Sequence, residues 1–267
     1  MPDMIEKALC SGYCKSIGLN FCDDSIIKHK LTNESLDAIA KGMDAKHGDR
    51  VLAICGSGMQ AFALLESVDY IVAVDCHHNQ AEYANYLKQL LKSEDYLGFL
   101  GLKNWNGGKI NCSKLSPHSL GFLKYFLQME LGIYDSAIRS EIIESVQSSS
   151  RMRKISSKID CLEIRLGNIF ELDVREGQFN KIYLSNAIAH RMAPMSDKAY
   201  GDAMKKFSGA LPHKGLVYIS DRDDSDMLKS AGKWPSRLEE DRYLTTIARN
   251  YQQKSFYNWK PKVFRKI

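Results

Sequence analysis

The sequence predicts an α/β fold: a doubly wound, mostly parallel sheet with a helical insertion. Three observations carry that expectation. Short apolar runs stand between turn signals at Val51-Leu52-Ala53-Ile54-Cys55, Tyr70-Ile71-Val72-Ala73-Val74, Lys181-Ile182-Tyr183-Leu184 and Leu216-Val217-Tyr218-Ile219. They do not alternate with polar residues, as expected of strands buried on both faces. Segments of helical periodicity lie between the early runs, which is the rhythm of βαβ units. Finally, Gly56-Ser57-Gly58 follows the first run at once, and Asp75 closes the second.

The length suits one large domain, or one domain with an inserted subdomain: 267 residues, of which 44% are apolar and 26% charged. Residues 1–48 read as a mostly helical N-terminal segment, with Asn33-Glu34-Ser35-Leu36-Asp37-Ala38-Ile39-Ala40 as a short capped helix. The main domain then runs over residues 49–267. A helix is expected from Met59 to Ser67, with Ala61, Leu64 and Leu65 on one face. Another is expected from about Gln80 to Leu91, where Tyr83, Tyr86, Leu87, Leu90 and Leu91 recur at helical spacing.

Residues from about 95 to 155 break the rhythm and read as a helical lid. Pro117 suits the first position of a helix, with Leu120, Leu123, Leu127 and Leu131 along one side; Tyr134 to Val146 reads as a further helix. The stripe of Leu120, Phe122, Leu123 and Phe126 either covers an apolar acceptor or packs on the sheet. The strand rhythm returns at Cys161-Leu162-Glu163-Ile164-Arg165-Leu166. Ser236 to Asn250 is read as a helix. Ser255-Phe256-Tyr257 and Lys262-Val263-Phe264 are read as short antiparallel edge strands.

Net charge is +5, and the tail holds Lys254, Lys260, Lys262, Arg265 and Lys266 with no acid among them. Such a run either meets an anionic surface or is a solvated terminal strand. Seven cysteines, an odd number at irregular spacing, fit a reducing compartment better than a disulfide framework. Cys10, Cys14 and Cys22 with His29 match no zinc spacing, and no metal site is expected. Asp3, Glu6 and Lys7 interrupt any signal-peptide core, and no apolar run approaches the ~18 residues of a membrane span. A cytoplasmic protein with at most peripheral membrane contact is the expectation.

The chemistry is expected at the strand ends. Glycines let the backbone approach a ligand and take positive φ, a helix start offers N–H groups, and an acid about 20 residues on accepts both hydroxyl hydrogens of a ribose. These are the needs of a nucleoside cofactor. Gly56-Ser57-Gly58-Met59-Gln60-Ala61 also fits the dinucleotide fingerprint in its G/A form. Gly167-Asn168-Ile169-Phe170 and Leu184-Ser185-Asn186 favour S-adenosylmethionine, because they stand where class I methyltransferase-like, Rossmann-like folds place the adenine turn and the reacting groups. Gly56, Ser57, Gly58, Asp75, Asn168, Ile169 and Ser185 are therefore the expected cofactor residues. Ser185, Asn186 and His190 are the expected catalytic ones, with His190 as a candidate base. His77-His78 reads as a surface loop or as packing on the adenine side rather than a metal pair. Asp221-Arg222 and Tyr257 are further candidates on the acceptor side.

The stretch from about residue 49 to residue 190 resembles the S-adenosylmethionine 3-amino-3-carboxypropyltransferases of the betaine-lipid synthase type. The residues that carry the resemblance are Asp49-Arg50-Val51-Leu52-Ala53-Ile54-Cys55-Gly56-Ser57-Gly58, Ala73-Val74-Asp75, Asn79-Gln80-Ala81, Leu87-Lys88-Gln89-Leu90 and Tyr96-Leu97-Gly98-Phe99-Leu100-Gly101. Weaker echoes are Lys114-Leu115-Ser116-Pro117, Gly167-Asn168-Ile169-Phe170 and Tyr183-Leu184-Ser185-Asn186. Where that family has Asp-Leu-Asn-Pro, this chain has Asp75-Cys76-His77-His78-Asn79. The resemblance implies transfer of the aminocarboxypropyl group to a nucleophilic acceptor, with release of methylthioadenosine. Methyl transfer uses the same fold and motifs, and a non-catalytic cofactor-binding module is a third reading. A small-molecule or lipid acceptor is expected, and no nucleic acid.

Overall fold

The structure is a computed structural model that describes residues 31–32, 34–102, 117–128, 145–185, 187, 197–222, 237–252 and 259–267. In chain order the elements are α1 (Leu36–Gly42), β1 (Arg50–Ile54), α2 (Met59–Leu65), β2 (Tyr70–Asp75), α3 (His78–Lys92), α4 (Tyr96–Phe99), α5 (Pro117–Leu127), α6 (Ser150–Ser157), β3 (Leu162–Leu166), β4 (Lys181–Ser185), α7 (Asp197–Ala210), β5 (Leu216–Arg222), β6 (Leu238–Glu240), α8 (Arg242–Gln252) and β7 (Trp259–Lys266).

The strands form one sheet in the order β3-β2-β1-β4-β5-β7-β6. The first five run parallel to one another, and β7 runs antiparallel to both β5 and β6. The chain thus has the expected α/β fold with a doubly wound, mostly parallel sheet. The order reverses at β1, which pairs with β2 on one side and β4 on the other. Ligands of such sheets sit outside the carboxyl ends of the strands at that reversal.

Strand side chains alternate between two cores. Val51, Ala53, Ile71, Ala73, Tyr183 and Tyr218 face a core shared with α1, α2, α3, α5, α6 and α8. Leu52, Val72, Val74, Ile182, Leu184, Val217 and Ile219 face a second core under α7, built with Ala203, Met204 and Phe207. Because both faces are covered, these strands read as unbroken apolar runs.

The described part of the insertion packs into the first core. Phe99 of α4 meets Phe62 of α2 with ring centroids 5.3 Å apart and Phe126 of α5 at 5.2 Å, both edge-on. Phe122, Leu123 and Phe126 are buried. Of the two readings of that stripe, core packing is the observed one. Ser149 caps α6, accepting from the Met152 N–H, and its hydroxyl donates to the Phe126 carbonyl at 2.8 Å. The Arg151 guanidinium lies 4.1 Å from the centre of the Tyr125 ring and pairs with Glu66 at 2.9 Å.

Three expectations about the C-terminal part are corrected. The stretch from Ser236 to Asn250 is not one helix, since Leu238–Glu240 pairs with β7 as a strand. Asp241 then starts α8, its side chain accepting from the Leu244 N–H at 3.0 Å. Lys262-Val263-Phe264 lies in a longer strand, β7, inside the sheet rather than at its edge. The basic tail is a solvated terminal strand only in part, since Lys260 is exposed while Arg265 and Lys266 are engaged. Arg265 pairs with Asp241 at 2.5 Å, and buried Lys266 donates to the Leu211 carbonyl. Lys254 and the segment at Ser255 to Tyr257 lie outside the described residues.

At the amino end of the sheet, opposite the carboxyl ends of the parallel strands, a buried ion pair ties β4 to the turn before β1. The Lys181 ammonium stands 2.8 Å from Asp49 and donates to the Met43 and Asp44 carbonyls at the end of α1. The other Asp49 oxygen accepts from the Asn180 amide at 2.7 Å. Among the described residues, no helix is long and apolar enough to cross a membrane.

Candidate functional site

The carboxyl ends of β1, β2, β3 and β4 bring several of the expected residues to one edge. Beyond β1 the chain turns at once. Gly56 has φ +52° and Gly58 φ +79°, a region that L side chains rarely adopt. The Gly58 N–H closes the turn on the Cys55 carbonyl at 2.8 Å, and α2 follows directly. Among the described residues, a Cβ on Gly56 would have only the Gln60 amide nitrogen within 4 Å, at 3.7 Å, so the turn is open to them on that side. A Cβ on Gly58 would lie 3.1 Å from the Phe62 ring and 3.2 Å from the Ala84 Cβ. Gly58→Ala should therefore destabilise the chain by about 1–3 kcal/mol, combining the left-handed backbone with this crowding. Urea unfolding checks this, and a change within error would show that the turn relaxes freely.

Asp75 ends β2 beside that turn and is buried. Its carboxylate accepts from the Gly56 N–H at 3.0 Å and from the His77 N–H at 2.9 Å. It braces the glycine turn and the start of α3 from one point. A carboxylate accepts up to about four hydrogen bonds, so a brace of this kind can also receive hydroxyl groups. Burial, and then the Asp75 charge, push the thiol of neighbouring Cys55 well up, which keeps it neutral.

Gly167, just past β3, donates to the Asp75 carbonyl at 2.8 Å, so the β3 turn abuts the end of β2. Asn168 is exposed there. Its carbonyl oxygen accepts from the Phe170 N–H at 3.1 Å, and its amide donates to Glu171 at 2.9 Å. Ile169 points the other way, into the second core. Ser57 is buried, and its hydroxyl donates to the Gln60 carbonyl oxygen at 3.2 Å.

Ser185 ends β4 with φ +51°, a left-handed backbone on a residue with a side chain. Its hydroxyl donates to Glu34, which also accepts from the Tyr183 hydroxyl at 2.9 Å. Asn186 and His190 lie outside the described residues, as do Tyr257 and the Cys10, Cys14, Cys22 and His29 set. Asp221 and Arg222 fall at the end of β5. His78 is exposed and pairs with Glu82 at 3.1 Å within α3. Among the described residues, no three His, Cys, Asp or Glu side chains group as metal ligands would.

Sequence reasoning missed Glu34. It precedes α1, whose N-cap is Ser35 accepting from Ala38, and the segment holding it is stitched across the strand ends. The Gln60 amide donates to Thr32 at 2.9 Å, and the Ser35 N–H donates to Gln252 of α8 at 3.0 Å. Glu34 is only 4% exposed. Burial raises its pKa above 4.5, and the hydroxyls of Ser185, Tyr183 and Ser220 pull against that rise. The folded state therefore holds this proton to higher pH than the unfolded chain does. Its stabilising contribution is full below pH 4.5 and is lost as pH rises through the folded pKa. Glu34→Gln cannot ionise, so its stability relative to wild type should improve between pH 5 and pH 8. Urea unfolding at both values tests this; a constant difference would show that Glu34 titrates as in the unfolded chain.

No family model matches the chain, and no curated protein matches it by sequence. Among solved structures it is similar to a SAM-dependent O-methyltransferase from Thermotoga maritima, at 15% identity and TM-score 0.44 over 87% of this chain and 64% of that one. It is also similar to the tRNA (m1A58) methyltransferase of Aquifex aeolicus, at 13% identity and TM-score 0.45, over 87% and 68% of the two chains. A TehB-like SAM-dependent methyltransferase from Corynebacterium glutamicum gives 14% identity and TM-score 0.45, over 86% and 88%. The chain thus spans less than two thirds of the Thermotoga protein.

Proposed function

We propose that this chain is an S-adenosylmethionine-dependent transferase whose cofactor lies across the carboxyl ends of β1, β2 and β3. The observation that carries the reading is the coupling of the open turn at residues 56–58 to the Asp75 carboxylate, at the point where the sheet order reverses. Such a site offers bare backbone to the methionyl arm and an acid to the ribose hydroxyls. Asn168 and the turn after β3 stand on the adenine side, and Ser185 on the side of the reacting carbon.

The sulfonium supplies the chemistry. A nucleophile attacks an attached carbon in line, the carbon–sulfur bond breaks, and its electron pair returns to sulfur. Positioning at about 3–3.5 Å is the main catalytic device for such a displacement. The resemblance over residues 49 to 190 supports attack at the γ-carbon of the amino-acid arm, with methylthioadenosine as the leaving group. Attack at the methyl group leaves S-adenosylhomocysteine and needs only a different presentation of the same cofactor. The acceptor in this reading is a small molecule or lipid nucleophile.

Mass spectrometry of the purified protein incubated with S-adenosylmethionine and cell extract tests the reading. Methylthioadenosine above a no-enzyme control supports aminocarboxypropyl transfer, and S-adenosylhomocysteine makes the protein a methyltransferase. Binding without either product makes it a cofactor-binding module. No binding at all overturns the cofactor assignment.

A further inference from the structure

Two buried carboxyl groups stand near the carboxyl edge of the sheet, Asp75 and Glu34. Asp75 braces backbone N–H groups. Glu34 is differently placed. One of its oxygens takes the hydroxyls of Tyr183 and Ser185. The other, Oε2, is buried and receives no hydrogen bond among the described residues, and no Lys or Arg among them pairs with it. The Ser220 hydroxyl on neighbouring β5 lies close enough to pull the Glu34 pKa down, and it and the Tyr218 hydroxyl are buried without a well-formed bond of their own. Buried polar atoms are nearly always satisfied, so an Oε2 that receives no well-formed hydrogen bond, among hydroxyls that carry no charge, leaves a place for a cationic donor.

The position of this cluster says what kind of donor is missing. Ala53 of β1 stands opposite Tyr183 of β4, so the end of β4 at Ser185 is level with Cys55, one residue before Gly56. The segment bearing Glu34 is also tied to the start of α2 through Gln60 and Thr32. The carboxyl group therefore lies beside the turn that holds the methionyl arm in the reading above. That arm carries an ammonium group with three N–H donors and a positive charge. A buried carboxyl oxygen with no cation beside it among the described residues is its complement.

We propose that Glu34 receives the ammonium group of the cofactor's amino-acid arm through Oε2, with the Tyr183 and Ser185 hydroxyls holding the carboxylate in place. The assignment rests on the S-adenosylmethionine reading and goes further, because it gives the arm a specific anionic partner. Binding then joins a charged pair in a shielded setting, and any proton on Glu34 is released to solvent.

Calorimetric titration separates the two. S-adenosylhomocysteine carries the amino-acid arm, whereas methylthioadenosine has the same adenosine and thioether without it. Glu34→Gln should weaken S-adenosylhomocysteine binding by about 10- to 100-fold, the usual effect of losing a charge-assisted hydrogen bond, and change methylthioadenosine binding by less than about twofold. Equal weakening of both ligands, or of neither, overturns the assignment. Failure of the wild-type chain to bind either one overturns the cofactor reading and this inference with it. The wild-type chain gives a second readout that does not depend on the variant folding. At pH 4.5, where a carboxyl group with a raised pKa is still largely protonated, S-adenosylhomocysteine binding measured in two buffers of different ionisation enthalpy should release protons and methylthioadenosine binding should not. Absence of that difference also overturns the proposal.

Discussion

In the proposed site, where Asp75 would accept both ribose hydroxyls, Asp75→Ala should weaken S-adenosylmethionine binding by about 100-fold or more through loss of two charge-assisted hydrogen bonds. The same change removes the acceptor for the Gly56 and His77 N–H groups. The glycine turn and the first turn of α3 lose their common anchor, so the loss should exceed that of the ribose contacts alone. Asp75→Asn gives the contrast. Its one carbonyl oxygen can serve either backbone donor, but its NH2 group opposes the other. Binding by Asp75→Asn should fall between wild type and Asp75→Ala in isothermal titration. If Asp75→Ala binds as wild type does, the acid does not hold the ribose.

Lys181→Met should cost about 3–5 kcal/mol of folding stability, the usual effect of removing one member of a buried ion pair. Lys181 is 4% exposed, and its ammonium touches Asp49 and the two carbonyls just past α1, so its loss leaves a buried carboxylate and two carbonyls without their cation. Asp49 keeps its bonds from Asn180 and from the Lys46 N–H, which limits the damage. Pairing Lys181→Met with Asp49→Asn should restore part of the stability, since the uncompensated charge is then gone. Urea unfolding of the single and double variants reads the coupling, and additive losses would mean that the pair is not coupled.

Much of the fold was legible because doubly covered strands leave an unmistakable apolar run. Val51 to Ile54, Tyr70 to Val74, Lys181 to Leu184 and Leu216 to Ile219 all form strands as read. β6 was not legible. Leu238-Glu239-Glu240 is short, carries two acids, and owes its extended form to pairing with residues 264–266 rather than to any local preference. The apolar stripe on α5 had two readings from sequence, and only contact with Phe99 distinguished them.

The candidate site divides in the same way. Gly56, Gly58 and Asp75 were legible because strand, turn and acid follow one another closely in the chain. Glu34 was not, since an acid just before a helix looks like a solvated capping residue. Its partners Tyr183 and Ser185 lie 149 and 151 positions away. One available signal was the polar pair Tyr218 and Ser220 on a strand buried on both faces, where hydroxyls need partners.

The place of β7 bears on how the chain is made. It lies between β5 and β6, although it is the last described strand to leave the ribosome. Until residues 259–266 emerge, the Leu216–Arg222 strand presents an open apolar edge, and Leu238–Glu240 has no strand to pair with. Exposed edges of this kind recruit other strands. A nascent chain stalled before β7 is therefore a substrate for chaperones. The antiparallel insertion of β7 is the event that retires that edge and closes this side of the sheet.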